Sequence, residues 1–310
     1  MGGHVARARR AWRPAATAVL TGVVAAVTVG VAPAAAEVTW TTTSGYLQVR
    51  IDDPAGEFVS VTCSGGVARV NGTTTGLACA STVYVGVTGG PGPDTITVTG
   101  VGAAWGAGLS GGDVAVAGGG GDDTITGSPL GGNYSGDGGG DTILSQGGDS
   151  NLAGGPGNDT LVGGGMGTTR HHGGPGQDSV HGGPGSDLVS VGAGDLPDAG
   201  TTGGAGSDNL VALTAPGPDH VVVVPRAAGG YDTVLRSAGA VELLRVDPTF
   251  EAHNIQTGDG DDQLHVRGTA PDPDGGGPLV GTSVTPSPGG GTDLLEVAMG
   301  GPHFSPAPGT

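Results

Sequence analysis

A nine-residue phase runs through the middle of this chain and limits its fold more than any other feature. Gly154 to Val162 reads GGPGNDTLV, Gly173 to His181 reads GGPGQDSVH, and Gly182 to Ser190 reads GGPGSDLVS. Each block has glycine at positions 1, 2 and 4, aspartate at 6 and an aliphatic residue at 8. Blocks start at 100, 109, 118, 127, 136, 145 and 154, Gly163 is one extra residue, and blocks resume at 164, 173 and 182. Position 8 reads Ala107, Val116, Ile125, Tyr134, Ile143, Leu152, Leu161, His171, Val180 and Val189, a column in which all but His171 suit a dry interior.

Positions 7 to 9 predict a very short strand, with only the middle side chain pointing inward because strand side chains alternate faces. Positions 1 to 6 predict a turn, where glycine supplies positive φ and a close backbone approach to an ion. Two blocks make one circuit of 18 residues. Successive circuits stack and bury a narrow aliphatic column, as solenoids do. In that stack Asp123, Asp141 and Asp159 fall on one edge and Asp178 continues it, while Asp187 falls on the other. Val114, Gly132, Ser150 and Thr169 hold position 6 on that other edge. Stacked carboxylates repel one another unless a cation lies between them. Carboxylates and turn carbonyls are hard oxygen donors, suited to calcium.

The blocks at Gly89–Thr97 (GGPGPDTIT), Gly118–Thr126 (GGGGDDTIT), Gly154, Gly173, Gly182 and Gly203–Val211 (GGAGSDNLV) resemble the hemolysin-type, or RTX, calcium-binding nonapeptide GGxGxDxUx. The resemblance implies an all-β fold, a parallel β-roll or β-solenoid, with several Ca2+ ions held between turns of one edge. It implies carboxylate ligands at Asp94, Asp123, Asp141, Asp159, Asp178, Asp187 and Asp208. Turn backbone at Gly118, Gly120, Gly136, Gly138, Gly154, Pro156, Gly173 and Pro175 would complete the sites. The blocks at 109, 127, 145 and 164 depart from the pattern, which bears against a full set of sites on the second edge.

The flanks read differently. Arg7, Arg9, Arg10 and Arg13, the apolar run Ala15–Val31 and Ala34-Ala35-Ala36 predict a secretory signal peptide over residues 1–36, cleaved after Ala36. Arg9-Arg10 hints at twin-arginine export. All 29 acidic residues and 7 of the 11 basic ones, all arginines, lie beyond residue 36, a formal charge of −22. Such a surface disfavours nucleic acid and anionic membrane and attracts cations. Residues 37–88 read as an N-terminal β-segment that caps the roll at 89–211. Trp40, Tyr46 and Phe58 are expected in a small core there. In an exported chain Cys63 and Cys79 read as a disulfide, with two buried thiols as the alternative. The bond would close a loop of about 17 residues, worth on the order of 3 kcal/mol.

Residues 212–268 read as a degenerate β-region with strands in HVVVVP, YDTVLR, AVELLRV and QLHVRG. Asp219, Asp232 and Asp262 take position 6 of degraded blocks there, and Asp259, Asp261 and Asp262 form a possible weak metal site. Residues 269–292 read as a Pro/Gly-rich linker, and TDLLEVAM as a final strand before the tail.

Catalytic motifs are sparse. There is no HExxH. Gly108-Leu109-Ser110-Gly111-Gly112 matches GxSxG, but such an elbow needs a strand before it and a helix after it, and this one lies within the nine-residue phase. Arg170-His171-His172 and His181 suggest a metal cluster, yet the phase puts His172 and His181 outside on opposite sheets and His171 inside a distorted coil. The expectation is therefore a secreted, non-catalytic, calcium-binding protein whose folding outside the cell is driven by the metal. The alternatives are an adhesion module contacting ice, glycan or another surface through outward Thr95, Thr97, Thr124, Thr126 and Thr160, or a polysaccharide-acting enzyme. The last needs acids on an outward sheet face, whereas these acids lie in turns.

Overall fold

The computed structural model describes residues 28–31, 38–102, 105, 109–191 and 201–213, and beyond them 219–225, 231–237, 240–246, 252–256, 262–267, 283–287 and 294–298. It is all-β, a parallel β-roll. Its two long faces are a twelve-stranded and a nine-stranded sheet, and a five-stranded sheet follows. The strands at Thr124–Thr126, Thr142–Leu144 and Thr160–Val162 lie parallel in the nine-stranded sheet, with Ile125 opposite Ile143 and Ile143 opposite Leu161. The strands at Val114–Gly120, Gly132–Gly138 and Ser150–Ala153 lie parallel in the twelve-stranded sheet. The chain crosses between the sheets at every turn, so one circuit uses two blocks.

Position 8 builds the core. Ile96, Ile125, Ile143, Leu161 and Val180 are fully buried from one sheet, and Val116, Tyr134, Leu152, His171 and Val189 are buried from the other. Gly163 adds one residue to the circuit and leaves the register intact, with Leu161 opposite Val180 and Leu152 opposite His171. The strand Thr169–His172 is thus regular, not the distorted coil expected of its poor block.

The block placed at 100 does not form a circuit. The strand after Thr95–Thr97 is Val114–Gly120, and Asp94 stacks on Asp123 across 29 residues instead of 18. Val101 and Trp105 are buried, and Trp105 Nε1 donates to the carbonyl of Gly100 at 2.7 Å. Bulky apolar residues make this insertion a packed plug. Ala107 and Gly108 lie outside the described residues.

The N-terminal segment is more than a cap. Tyr46–Ile51 pairs parallel with Tyr84–Thr88, and Phe58–Ser64 pairs parallel with Thr95–Thr97, so these strands are circuits of the roll itself. The turn between them, Asp52-Asp53-Pro54-Ala55-Gly56-Glu57, stands in for a nonapeptide turn, with Glu57 at position 6 and buried Val59 at position 8. Hairpins flank it. Ser44-Gly45 and Asn71-Gly72 both have positive φ at two successive residues, the hairpin geometry that suits twisted strands. Cys63 and Cys79 are disulfide-bonded and tie the second hairpin region together. Trp40 is buried, but Tyr46 and Phe58 are 48% and 55% exposed. Both fall on the outward phase of their strands, and Tyr46 packs on Tyr84 instead.

Strand Thr28–Val31 pairs antiparallel with Val38–Thr43, so part of the apolar N-terminal run satisfies its backbone along a sheet edge. At the other end the circuits continue with longer connections. Asn209–Leu213, Ala252–Gln256 and Ser283–Ser287 are parallel neighbours, as are Asp219–Pro225, Gln263–Arg267 and Leu294–Ala298. Tyr231–Ser237 and Ala240–Val246 are an inserted antiparallel pair. Asp232 lies in the strand read from YDTVLR, so its degraded block forms no nonapeptide turn. Ser283–Ser287 likewise forms a strand where a linker was expected, its Pro286 tolerated because the strand is the last of its sheet.

Candidate metal centre

Each turn of the first edge repeats one arrangement. The aspartate at position 6 is buried, and its Oδ1 accepts the backbone N–H of the position-6 residue one circuit earlier. Asp123 accepts from Asp94 at 2.6 Å, Asp141 from Asp123 at 2.7 Å, Asp159 from Asp141 at 2.7 Å and Asp178 from Asp159 at 2.8 Å. Asp94 accepts from Glu57 at 2.7 Å, so the ladder begins in a turn that lacks the repeat sequence. That extension was not legible in the sequence, because IDDPAGEFVS shares only the position-6 acid and position-8 aliphatic with the blocks above it.

The other oxygen is the informative one. Oδ2 of Asp123, Asp141, Asp159 and Asp178 is buried and makes no hydrogen bond. A buried carboxylate oxygen without a partner is costly. The position-1 glycine of the same block lies against it. A Cβ on Gly118 would stand 2.2 Å from Oδ2 of Asp123 and 2.7 Å from the carbonyl oxygen of Gly136. On Gly136 it would stand 2.1 Å from Oδ2 of Asp141 and 2.6 Å from the Gly154 carbonyl, and on Gly154 2.2 Å from Oδ2 of Asp159 and 2.5 Å from the Gly173 carbonyl. Position 1 is glycine because carboxylate and carbonyl oxygens converge there. Among the described residues no three His, Cys, Asp or Glu side chains converge on one point. Each turn offers one carboxylate, and further donors must come from the backbone.

Electrostatics sharpens the picture. Burial, reinforced by Asp141, Asp94 and Asp137, pushes Asp123 up to about 7 against the pull of the Asp94 N–H. Burial pushes Asp159 up to about 6, with Asp178 and Asp141 adding to it. Asp141 and Asp187 are also raised, first by burial. Without a cation the column resists full ionisation at neutral pH.

The second edge starts the same motif late. Asp187 accepts from Thr169 N–H and Asp208 from Asp187 N–H, both at 2.8 Å, and Oδ2 of Asp187 is buried without a hydrogen bond. Before that point the turns are neutral, and other side chains take the place that Oδ2 takes on the first edge. The Tyr134 ring lies against Gly127 and Gly132. Its hydroxyl donates to the Gly131 carbonyl and accepts from Ser128 N–H, each at 2.8 Å. Ser145 and Ser150 share a buried hydroxyl–hydroxyl bond of 2.7 Å. Nε2 of His171 lies 3.1 Å from where a Cβ on Gly163 would stand, and burial pushes that imidazole down to about 4, so it is neutral. The sequence showed which acids were missing but not what replaced them.

A further ladder runs outside the carboxylates. Asp122, Asn158 and Asp149 at position 5 accept the N–H of Gly140, Gln177 and Thr168 one circuit on, at 2.8 to 2.9 Å. Spacing alone could have found it, since position 5 carries Asp or Asn in these three blocks. Of the remaining candidates, Asp262 is buried, while Asp259 and Asp261 lie outside the described residues. His172 is exposed and His181 half-buried, on opposite sheets. Ser110 precedes a single three-residue 3-10 turn, Gly111–Asp113, and its hydroxyl donates to Asp113 at 2.7 Å. Thr95, Thr124 and Thr142 are exposed and in register across neighbouring strands.

A parallel roll with buried aspartates stacked in glycine turns defines a class of oxygen-donor metal-binding repeat. The family model for the RTX calcium-binding nonapeptide repeat (4 copies) matches residues 109–129, 135–165 and 171–195, so this part of the chain carries RTX-type repeats. The match includes the departing blocks at 109 and 145 and omits most of those at 127 and 164. No curated protein and no solved structure matches the chain. No helix among the described residues is long and apolar enough to cross a membrane.

Proposed function

We propose that this is an exported, non-catalytic protein whose roll folds outside the cell on binding several calcium ions. The observation that carries the reading is the set of buried Oδ2 atoms on Asp123, Asp141, Asp159, Asp178 and Asp187 that make no hydrogen bond. Those oxygens, with Asp94 and Asp208 and the adjoining carbonyls of Gly136, Gly154, Gly173 and Gly203, would hold the ions. Bound Ca2+ supplies positive charge where like charges otherwise accumulate. Hard oxygen donors of this kind fit it.

The signal-like residues 1–36 and the −22 charge of the remainder fit a chain that stays open where calcium is scarce and closes where it is abundant. Binding free energy is then folding free energy. The test is a calcium titration of residues 37–310 followed by circular dichroism, with Asp141→Ala beside it. The reading expects a coil-to-β transition with calcium, not with magnesium, that the substitution weakens. A chain fully β-structured in chelator, and indifferent to calcium, would refute it.

A further inference from the structure

A trough of about 1070 Å3 crosses the outward face of the twelve-stranded sheet. It spans the strands from Val38–Thr43 to Leu188–Val191, eight in all, or about 34 Å at the usual strand spacing. Its middle is floored by Gly86, Ala115, Ala117, Ser135 and Ala153, small residues that let a ligand lie close to the sheet. Asn133 and Asn151 run along it as an amide ladder, Nδ2 of Asn151 donating to Oδ1 of Asn133 at 2.7 Å. Arg50 stands toward one end, and Arg170 and His172 toward the other.

The lining of this surface lacks the acidic excess of the molecule. The chain has 29 acidic residues against 11 basic ones, yet no aspartate or glutamate lines the trough. Two carboxylates reach its rim: Asp52 pairs with Arg50, and Asp137 accepts from the Ser135 hydroxyl. The Arg50–Asp52 pair is solvent-exposed and therefore weak. Arg170 and His172 are exposed on neighbouring positions of the outward face. Guanidinium, imidazole and amide groups around a long, shallow, small-residue floor match a linear polymer that bears both hydroxyls and anionic groups.

We propose that this trough binds a linear acidic polysaccharide, with its carboxylates or sulfates on Arg170 and His172 and its hydroxyls on the Asn133–Asn151 ladder. The proposal requires the folded roll but not the calcium dependence of folding, and the test separates the two. Protein is first brought to full β-structure, checked by circular dichroism, in calcium buffer. It is then titrated with hexameric oligogalacturonate, a sulfated dextran oligomer, neutral cellohexaose and a single-stranded DNA oligomer. Binding of at least one acidic oligosaccharide is expected, above both cellohexaose and DNA. Arg170→Ala should weaken it about tenfold, and Ala153→Trp, which fills the trough from an outward position, should abolish it, with unchanged circular dichroism in both. No binding by well-folded protein, equal binding of cellohexaose, tighter binding of DNA, or indifference to both substitutions would each overturn the proposal. None of those outcomes bears on the metal sites.

Discussion

Along the first edge of the roll every turn from Asp94 to Asp178 carries a buried aspartate. Along the second, position 6 is Val114, Gly132, Ser150 and Thr169 before Asp187 and Asp208 start the pattern. The strands of both sheets stack in register. What differs is the chemistry placed opposite the position-1 residue. From Asp123 to Asp178 the first edge leaves a carboxylate oxygen there without a hydrogen bond, whereas Oδ2 of Asp94 accepts from Gly90 N–H at 2.7 Å. The second fills the place with a phenol, a serine pair or an imidazole; the phenol and the serines are hydrogen-bonded internally, while both ring nitrogens of His171 make no hydrogen bond. One fold thus carries a seam of buried carboxylates and a seam built first from neutral side chains.

The largest effect should come from denying the first edge its glycine. Gly136→Ala places a Cβ 2.1 Å from Oδ2 of Asp141 and 2.6 Å from the Gly154 carbonyl, and neither group can yield without breaking the ladder. A loss on the order of 3–5 kcal/mol is expected, read as failure to reach the β-spectrum at any calcium concentration. Gly112→Ala is the control, since a Cβ there meets nothing nearer than 3.9 Å. Equal tolerance of the two substitutions would mean the turns are not close-packed.

Next comes the carboxylate itself. Asp141→Ala removes one Oδ2 and the acceptor for Asp123 N–H from the middle of the first edge. It should raise the calcium midpoint about tenfold, roughly 1.4 kcal/mol. Asp187→Ala, in a shorter column, should shift the midpoint less. Isothermal titration on both variants would show whether the edges differ as ion stores, and a larger shift from Asp187→Ala would reverse their assignment.

A third effect depends on pH. Asp123 and Asp159 have folded values of about 7 and 6, above the ordinary 3.8. The metal-free fold binds more protons than the open chain between those values. Its stability is therefore fully present below about pH 4 and is lost as pH rises through 6 to 7. In chelator, acidification from pH 8 to pH 5 should restore β-structure, while the calcium affinity of the folded roll should fall because protons compete for the same oxygens. A circular dichroism signal flat across that range would show that the first edge does not carry the charge conflict.

How much of this was legible follows from the kind of signal each part leaves. Position 8 and position 6 repeat with a fixed period, so the two sheets, the aliphatic column and the Asp123–Asp141–Asp159 stack could be read from spacing. The turn ending in Glu57 could not, because a fold can reuse a backbone path with only two matching residues. The strands YDTVLR and AVELLRV were legible, but their antiparallel pairing was not, since Asp232 keeps a position-6 place there without the glycines that make a nonapeptide turn. Tyr134 and His171 stood in the interior column, but nothing in a period says that a long side chain bends back into its own turn.

The smallest effect sharpens the contrast between the edges. Tyr134→Phe keeps the ring against Gly127 and Gly132 and removes only the hydroxyl, leaving Ser128 N–H without its acceptor and the Gly131 carbonyl without its donor. The expected cost is about 1–3 kcal/mol, the usual penalty for buried polar groups left unpaired, seen as a lower melting temperature in saturating calcium. The calcium midpoint should barely move, because the second edge at this turn is closed by protein and not by an ion. A midpoint that moved as far as in Asp141→Ala would mean that the two seams are energetically one, and that the phenol stands in for a metal ligand instead of replacing the need for one.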